Sequence, residues 1–357
     1  MKKIPQVESM SEVRVTLLSL ARHLGVSKTT VSVVLSEAAA AAAIPPATRQ
    51  RILEAAREHG YRPHFIASSL RRKSTLSVGV MVPDLGEGYF TLIMDGVQRY
   101  LSQTRYFYFT ACHYLQPDLI LEHARLLTER GVDGLLLINT PTPPNLRVPT
   151  VTISGHVTRE GVTNVILDHQ TAARLALVYL HKLGHRRIAF MRGQTFTLDA
   201  DDRWNSIVSL ATELGLEVDP ELLIPLIINS WSPELGYEPV KALLAKRCDF
   251  TAIFCFNDIS AIGAMRALHE AGLRIPEDVS VVGFDDVASA PFTIPSLTTV
   301  RQPLAEMGRI AADLLLSRIA DPLRKDPPEI IMAPELMIRE STCAPPSQMK
   351  SRLIHPR

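Results

Sequence analysis

The chain has 357 residues, of which 46% are hydrophobic and 21% charged, with a formal net charge of +1. That composition is too apolar for a disordered chain and sufficient for two or three domains with their own cores. The near-neutral total hides an asymmetry: residues 1–74 hold 12 Lys and Arg against 5 Asp and Glu, leaving 26 basic and 32 acidic residues for the rest, the pattern of a chain whose one end approaches a polyanion.

Residues 1–13 are polar and aperiodic and read as a flexible tail. From Val15 the pattern turns helical. Thr16 can cap a helix carrying Leu17, Leu20, Ala21 and Leu24 on one side. Gly25 breaks it, and Ser27 can cap a second helix with Val31, Val34 and Leu35 inside. Two short helices joined by a turn containing Gly are a helix-turn-helix candidate. The six alanines Ala38 to Ala43 either extend the second helix or form a low-complexity connection, and Pro45-Pro46 ends the run. A third helix is predicted over 48–60, with Ile52, Leu53 and Ala56 inward. His64 to Lys73 can form one short basic helix, too short to be stable alone.

Beyond Thr75 the chain repeats strand and helix. Strand-like runs lie at 76–82, 106–112, 134–138, 150–154, 187–191, 222–228, 252–256 and 279–284. Helices are predicted at 89–102, 118–130, 171–183, 202–214, 233–245, 260–271 and 304–319. Near-continuous apolar strands alternating with helices predict parallel sheets covered on both faces. Eight strands suit one barrel or two open sheets, and a body of about 270 residues is long for one open sheet, which favours two lobes. Residues 341–357 read as a tail.

Cys112, Cys248, Cys255 and Cys343 show no CxxC spacing; Cys112 and Cys255 fall in strand-like runs and read as small core hydrophobes. The basic N-terminus has no apolar h-region, and no apolar run reaches the roughly 18 residues that span a bilayer. A reducing cytoplasm is the expected location. There is no GxSxG, GxxxxGK, HExxH or helix-opening GxGxxG motif. His181 and His185 have Gly184 between them at a helix end, a poor geometry for a metal pair. A binding body without cofactor, metal or catalysis is expected.

Several motifs then follow one another in order. They are Val15-Thr16-Leu17, Leu20-Ala21 and Gly25-Val26-Ser27-Lys28-Thr29-Thr30-Val31-Ser32-Val33-Val34-Leu35. Next come Thr48-Arg49, Ala55-Ala56, Gly60-Tyr61-Arg62-Pro63, Ala67 and Ser69-Leu70-Arg71. In the body they are Leu183-Gly184-His185-Arg186-Arg187-Ile188-Ala189, Phe256-Asn257-Asp258 and Gly283-Phe284-Asp285-Asp286. Their order and spacing, over roughly residues 14–340, resemble the LacI/GalR family of transcriptional regulators. Ser19-Leu20 departs from the family's acidic-Val pair, Val33 from a frequent Arg, and the alanine run is unusual.

The resemblance implies an N-terminal all-α helix-turn-helix domain (14–63) and a hinge helix or linker (64–74). An α/β body (75–340) of two periplasmic-binding-protein-like lobes with parallel sheets follows. It implies a ligand-responsive repressor that binds double-stranded operator DNA as a homodimer or tetramer, with no membrane partner. Lys28, Thr29 and Thr30 match the readers of base edges in the major groove. Thr16, Ser27, Ser32 and Arg49 match backbone contacts. Ala67, Leu70 and Arg71 match a hinge that enters the minor groove, with Leu70 as the wedge between base steps.

A sugar or sugar derivative is the implied effector, held between the lobes where strands end. Asp285 and Asn257 follow strands directly, Arg203 lies near a helix start, Trp231 follows the 222–228 run, and Tyr89 and Phe90 follow the first strand. Purine-type effectors stay open. Each residue also has a plainer reading: Trp231 as a core aromatic, Asp285 or Asp286 as a helix cap, Arg203 paired with Asp201 or Asp202, Asp168 as an organiser of a crossover, the Ser and Thr residues as caps. Two other functions compete. A sugar-binding carrier with an incidental basic head predicts a signal peptide, and an α/β enzyme with Asp285 as base lacks a second catalytic group.

Overall fold

The structure, a computed structural model, describes residues 15–36, 39–61, 69, 72, 74–86, 88–155, 160–194, 198–226 and 232–347. Its contacts divide the chain into two units, 1–75 and 76–357. Much of the predicted hinge, including Ala67, Leu70 and Arg71, lies outside the described residues, as do Trp231 and the tail 1–13.

The first unit holds helices α1 (Leu17–Leu24), α2 (Lys28–Leu35) and α3 (Pro46–Glu58). Thr16 and Ser19 form a reciprocal cap on α1: Thr16 Oγ1 accepts from Ser19 N at 3.1 Å, and Ser19 Oγ accepts from Thr16 N at 2.9 Å. The departure at Ser19 therefore supplies half of a capping box. Gly25, at φ +66°, ends α1 in a left-handed turn that a side chain rarely adopts. Leu20, Ala21, Val31, Val34, Ile52, Ala55 and Ala56 make the core. Leu53, expected inward, is 39% exposed, because the α3 stripe runs through 52, 55 and 56. The alanines Ala39–Ala43 form a separate 3₁₀ helix rather than more of α2. Pro46 opens α3 two residues before the expected start, where its missing N–H costs nothing.

In the second unit the strands are β1 (Ser77–Val82), β2 (Phe107–Cys112), β3 (Gly134–Ile138), β4 (Thr150–Ile153), β5 (Val162–Leu167), β6 (Ile188–Arg192), β7 (Leu223–Pro225), β8 (Ala252–Phe254), β9 (Ser280–Asp285), β10 (Thr298–Arg301), β11 (Glu329–Met332) and β12 (Glu335–Met337). The helices are α4 (Tyr89–Leu101), α5 (Pro117–Glu129), α6 (His169–Leu183), α7 (Leu198–Glu213), α8 (Glu234–Leu244), α9 (Asp258–Glu270) and α10 (Leu304–Ala320). Among the described residues they build two six-stranded sheets, ordered β11-β5-β4-β3-β1-β2 and β12-β10-β9-β8-β6-β7. All neighbours pair parallel except β10 with β12. This is the two-lobed arrangement, not a barrel.

The chain passes between lobes three times. After β5, α6 packs on α7 and β12 of the second lobe; after β10, α10 packs on α4, β3 and β4 of the first; the last passage joins β11 to β12. Helix pairs approach closely where glycines meet backbone. A Cβ on Gly96 of α4 would collide with the Ala305 carbonyl of α10, and one on Gly263 of α9 with the Pro233 carbonyl before α8.

Three expectations change. The 222–228 run is a 3₁₀ turn over Pro220–Leu222 followed by a three-residue strand, and 227–230 lie outside the described residues. Strands β5, β10, β11 and β12 were not expected, since they are short or carry polar residues such as Thr163 and Asn164. The C-terminal tail begins later than 341. Ser341 is fully buried, its Oγ donating to Val281 O at 2.6 Å and accepting from Thr298 N at 2.8 Å.

Candidate functional site

Two surfaces carry the predicted residues, one in each unit. In the first, Ser27 caps α2, accepting from Thr30 N at 3.0 Å with the two hydroxyls 2.8 Å apart. That fixes the first turn of α2 and turns Lys28 and Thr29 outward, exposed. Thr30, Ser32 and Arg49 are half-buried, and Thr16 is exposed at the α1 cap. Thr16 and Ser27 are thus caps first, as their plainer reading has it.

In the second unit Tyr89, Asn139, Asp199, Arg203, Phe256, Asn257 and Asp285 line one cleft between the lobes, with about 20 Å³ of free space. That is room for about one water, far below the roughly 300–1,000 Å³ usual for small-molecule sites, so a sugar ring or base enters only if the lobes part. The lining follows from topology. Tyr89 opens α4 after β1, and Asn139 follows β3. Phe256 and Asn257 lie between β8 and α9, and Asp285 ends β9. These are carboxyl ends of parallel strands, where loops and helix starts converge. Asn139 (φ +43°) and Asp285 (φ +110°) hold left-handed backbone there.

Arg203 is the anchor of the second-lobe wall and is 4% exposed. Its Nη1 donates to Phe256 O at 2.5 Å, and its guanidinium lies 3.7 Å from the Phe284 ring centre and 4.5 Å from that of Phe256. Gly193 leaves the room for the Phe256 ring that a Cβ would fill. The buried Arg203 Nε has no hydrogen-bond partner. Asp285 Oδ1 accepts from Gln302 Nε2 at 2.6 Å. Burial pushes the Asp285 carboxyl up to about 7; the Arg203 charge and the Gln302 bond pull against it, and Asp199 adds to it. Burial, then the Asp199 charge, also drive the Tyr89 hydroxyl well above its ordinary range.

Tyr89, Arg203, Asn257 and Asp285 therefore come together. Phe90 does not: it is 1% exposed and packs in the first-lobe core with Val78 and Ile93, because adjacent helix residues point about 100° apart. Asn257 lines the cleft, and its Oδ1 also caps α9, accepting from Ser260 N at 2.9 Å. Asp168 caps α6, accepting from Thr171 N at 2.9 Å and Oγ1 at 2.6 Å. Neither Asp285 nor Asp286 is a cap. Asp286 instead anchors Arg301 at 2.7 Å and Arg339 at 2.6 Å. Arg203 pairs with neither Asp201 nor Asp202; Arg192 takes Asp201. His185 is buried against Thr251 Oγ1 and the Cys343 carbonyl.

Sequence reasoning missed Asn139, Asp199, Phe256 and Gln302. Asn139 follows its strand as Asn257 follows β8, and Asp199 is one helical turn before Arg203, so both carried a usable signal. Among the described residues no group of three or more His, Cys, Asp or Glu could hold a metal ion, and no helix is long and apolar enough to cross a membrane.

Residues 16–64 match a family described as bacterial regulatory proteins, lacI family, and residues 177–342 match a periplasmic binding protein-like domain. An HTH-type transcriptional repressor PurR of Haemophilus influenzae is 33% identical over 335 residues, covering 91% of this chain and 98% of the relative. A crystal structure of the Lac repressor dimer bound to operator and the anti-inducer ONPF superposes with a TM-score of 0.79 at 26% identity, covering 92% of this chain and 99% of that one. A LacI family transcriptional regulator from Enterococcus faecium, solved with bound ribose, superposes with a TM-score of 0.67 at 28% identity, covering 75% of this chain and 99% of that one.

Proposed function

Because this chain belongs to the lacI family of bacterial regulatory proteins, we propose that it is an operator-binding transcriptional repressor controlled by a sugar-like effector in the cleft. It acts in the cytoplasm on double-stranded DNA, and its body binds rather than catalyses.

Lys28, Thr29 and Thr30 read base edges from the first turn of α2, where the Ser27 cap leaves the side chains of Lys28 and Thr29 outward. Thr16, Ser27, Ser32 and Arg49 contact phosphates and set the register. Ala67, Leu70 and Arg71 enter the minor groove, with Leu70 wedging a base step. Two copies pair, one per half-site. Two apolar surfaces suit a second copy: Phe107 (65% exposed) and Phe109 (42%) on the edge strand β2, and Phe292 (84%) and Ile294 (96%) in the second lobe.

One observation carries the effector reading. Arg203 is buried, uses Nη1 on the protein and leaves Nε without a partner, and it shares the cleft with Asp285. A buried donor left open next to a carboxylate costs stability unless something fills it. Adjacent hydroxyls, each able to donate to Asp285 and accept from Arg203, meet both needs. Phe256 adds an apolar wall. Asn139 from one lobe and Asn257 from the other add hydrogen-bonding groups. A ligand touching both lobes changes their angle, and so the pairing of the hinges on DNA; operator and effector then alter each other's affinity by the same factor.

The test is a thermal-shift screen of sugars, sugar acids and nucleobases, followed by gel shifts on promoter DNA with each hit. A sugar that raises the melting point and changes operator binding, with both effects lost in Arg203→Ala, supports the proposal. A nucleobase that does so while every sugar fails overturns the sugar-like part.

A further inference from the structure

We infer that Asp258, outside the cleft lining, is a positioning residue that holds the turn aiming Asp285 at the effector. The inference rests on the reading of the cleft as an effector site and goes one step further, to what keeps that site's carboxyl in place.

Asp285 ends β9 at φ +110°, and Asp286 follows at φ +58°. Two left-handed residues in a row, neither a glycine, persist only where their surroundings fix them. Asp258 supplies that fixing. It is fully buried at the first position of α9, next to the cleft residue Asn257. Its Oδ2 accepts from Val287 N at 2.8 Å, and its Oδ1 accepts from Thr299 Oγ1 of β10 at 2.6 Å. The carboxyl also lies against Gly283, where a Cβ would collide with Oδ1. One side chain thus packs on the chain two residues before Asp285 and bonds it two residues after.

The neighbouring contacts act elsewhere on the turn. Gln302 holds the Asp285 side chain, and Arg301 and Arg339 hold that of Asp286. Asp258 holds the Val287 N–H, and with it the path of the backbone out of β9. Without that bond a buried N–H stands open and the left-handed pair relaxes, which takes the Asp285 carboxyl from its place. Val287 moves too, and its Cγ1 faces Gly88 of the first lobe. Asp258→Asn keeps a carbonyl oxygen for the Val287 N–H and an amide for the Thr299 hydroxyl, whereas Asp258→Leu keeps the bulk and neither bond. Burial, then the Asp285 charge, push the Asp258 carboxyl well above its ordinary range, so a neutral side chain of that shape suits the site.

Melting curves of the full-length protein from pH 4 to pH 8 test the placement without a ligand. Asp285 is faced by Arg203, Gln302 and Asp199, and its titration reports its surroundings. In the parent, the gain from Asp285→Asn grows up to about pH 7. It is expected to grow alike in Asp258→Asn and to stay flat in Asp258→Leu, where the carboxyl reaches water. Calorimetry with glucose, galactose and ribose tests the consequence. A sugar that binds the parent is expected to bind Asp258→Asn within about twofold, and Asp258→Leu about tenfold more weakly. Where Asp258→Leu does not fold, Thr299→Val, which unties only Oδ1, shows both trends with an affinity loss of about threefold. A gain that still grows in the Leu variant or its substitute, an unchanged affinity, or an equal loss in Asp258→Asn overturns the inference and leaves the cleft a sugar site. A gain already flat in the parent overturns it as well. If no sugar binds the parent, the sugar reading falls, and the melting curves alone decide whether Asp258 places Asp285.

Discussion

Tyr89 and Asp199 come from different lobes, and the Tyr89 hydroxyl stands 3.5 Å from Asp199 Oδ2 while sharing a 2.8 Å hydrogen bond with Ser154 Oγ. The contact reaches across the cleft at its first-lobe wall. Beside it the lobes touch again, since a Cβ on Gly88 would lie 2.5 Å from Val287 Cγ1. Tyr89→Phe removes the hydroxyl and keeps the ring on Phe90, 5.1 Å away edge to face. At roughly 1 kcal/mol for one hydrogen bond, effector affinity is expected to fall about fivefold. Calorimetry on the variant checks this, and unchanged affinity would mean the cross-cleft bond contributes nothing to closure.

The Asp285 carboxyl, held up at about 7 mainly by burial against an ordinary value of 3.8, ties stability to pH. Its folded form keeps a proton that its unfolded form has lost between those two values. The stability this contributes is full below 3.8 and is lost as pH rises through about 7. Asp285→Asn stays neutral throughout. Its melting point is therefore expected to gain on the parent from pH 4 to about pH 7 and to hold that gain at pH 8, while sugar binding falls. Melting curves across that range decide it; a constant gap would show that Asp285 does not titrate there.

Arg318 joins elements far apart in sequence. Its Nη1 donates to Thr150 O at 2.9 Å and Gly161 O at 2.8 Å, and its Nη2 to Thr163 Oγ1 at 2.7 Å and Asp326 at 2.8 Å. The Asp326 side chain is 3% exposed. Arg318→Leu leaves that carboxylate to Arg324 Nε alone, at 2.6 Å, and strands two strand-end carbonyls, with an expected loss of about 2–3 kcal/mol. Adding Asp326→Asn recovers part of it. Urea unfolding of both variants is the measurement, and a loss below about 1 kcal/mol would reduce the clamp to a surface pair.

The helices were legible because caps and apolar spacing are local. Thr16, Ser27 and Gly25 mark their turns by chemistry alone. Strands β5, β11 and β12 were not, because three to six residues with polar members carry little period. Strand ends pointed to Asp285 and Asn257, and the same rule would have reached Asn139. Asp286 was unreadable, since its partners Arg301 and Arg339 arrive from 15 and 53 residues away. Phe90 shows the limit of adjacency: next to a cleft residue in sequence, it faces the core.

In the proposed function, Lys28 and Arg49 would separate specificity from affinity. Lys28 is the first residue of α2, exposed beside a turn locked by the Ser27–Thr30 cap, and in that function its ammonium goes to a base edge. Arg49 lies in the first turn of α3 and is half-buried, and in that function it takes a phosphate. Lys28→Ala is expected to cost about 1–3 kcal/mol on the preferred operator and to flatten the preference at one base pair. Arg49→Ala is expected to weaken every sequence alike and to lower the slope of log affinity against log salt by about 1. Fluorescence anisotropy with an operator and its single-base variants, run from about 50 to 200 mM salt, distinguishes the two. If Lys28→Ala lowers affinity equally for every variant operator, α2 does not read bases through that residue. The roles assigned along its first turn would then have to move to Thr29 and Thr30.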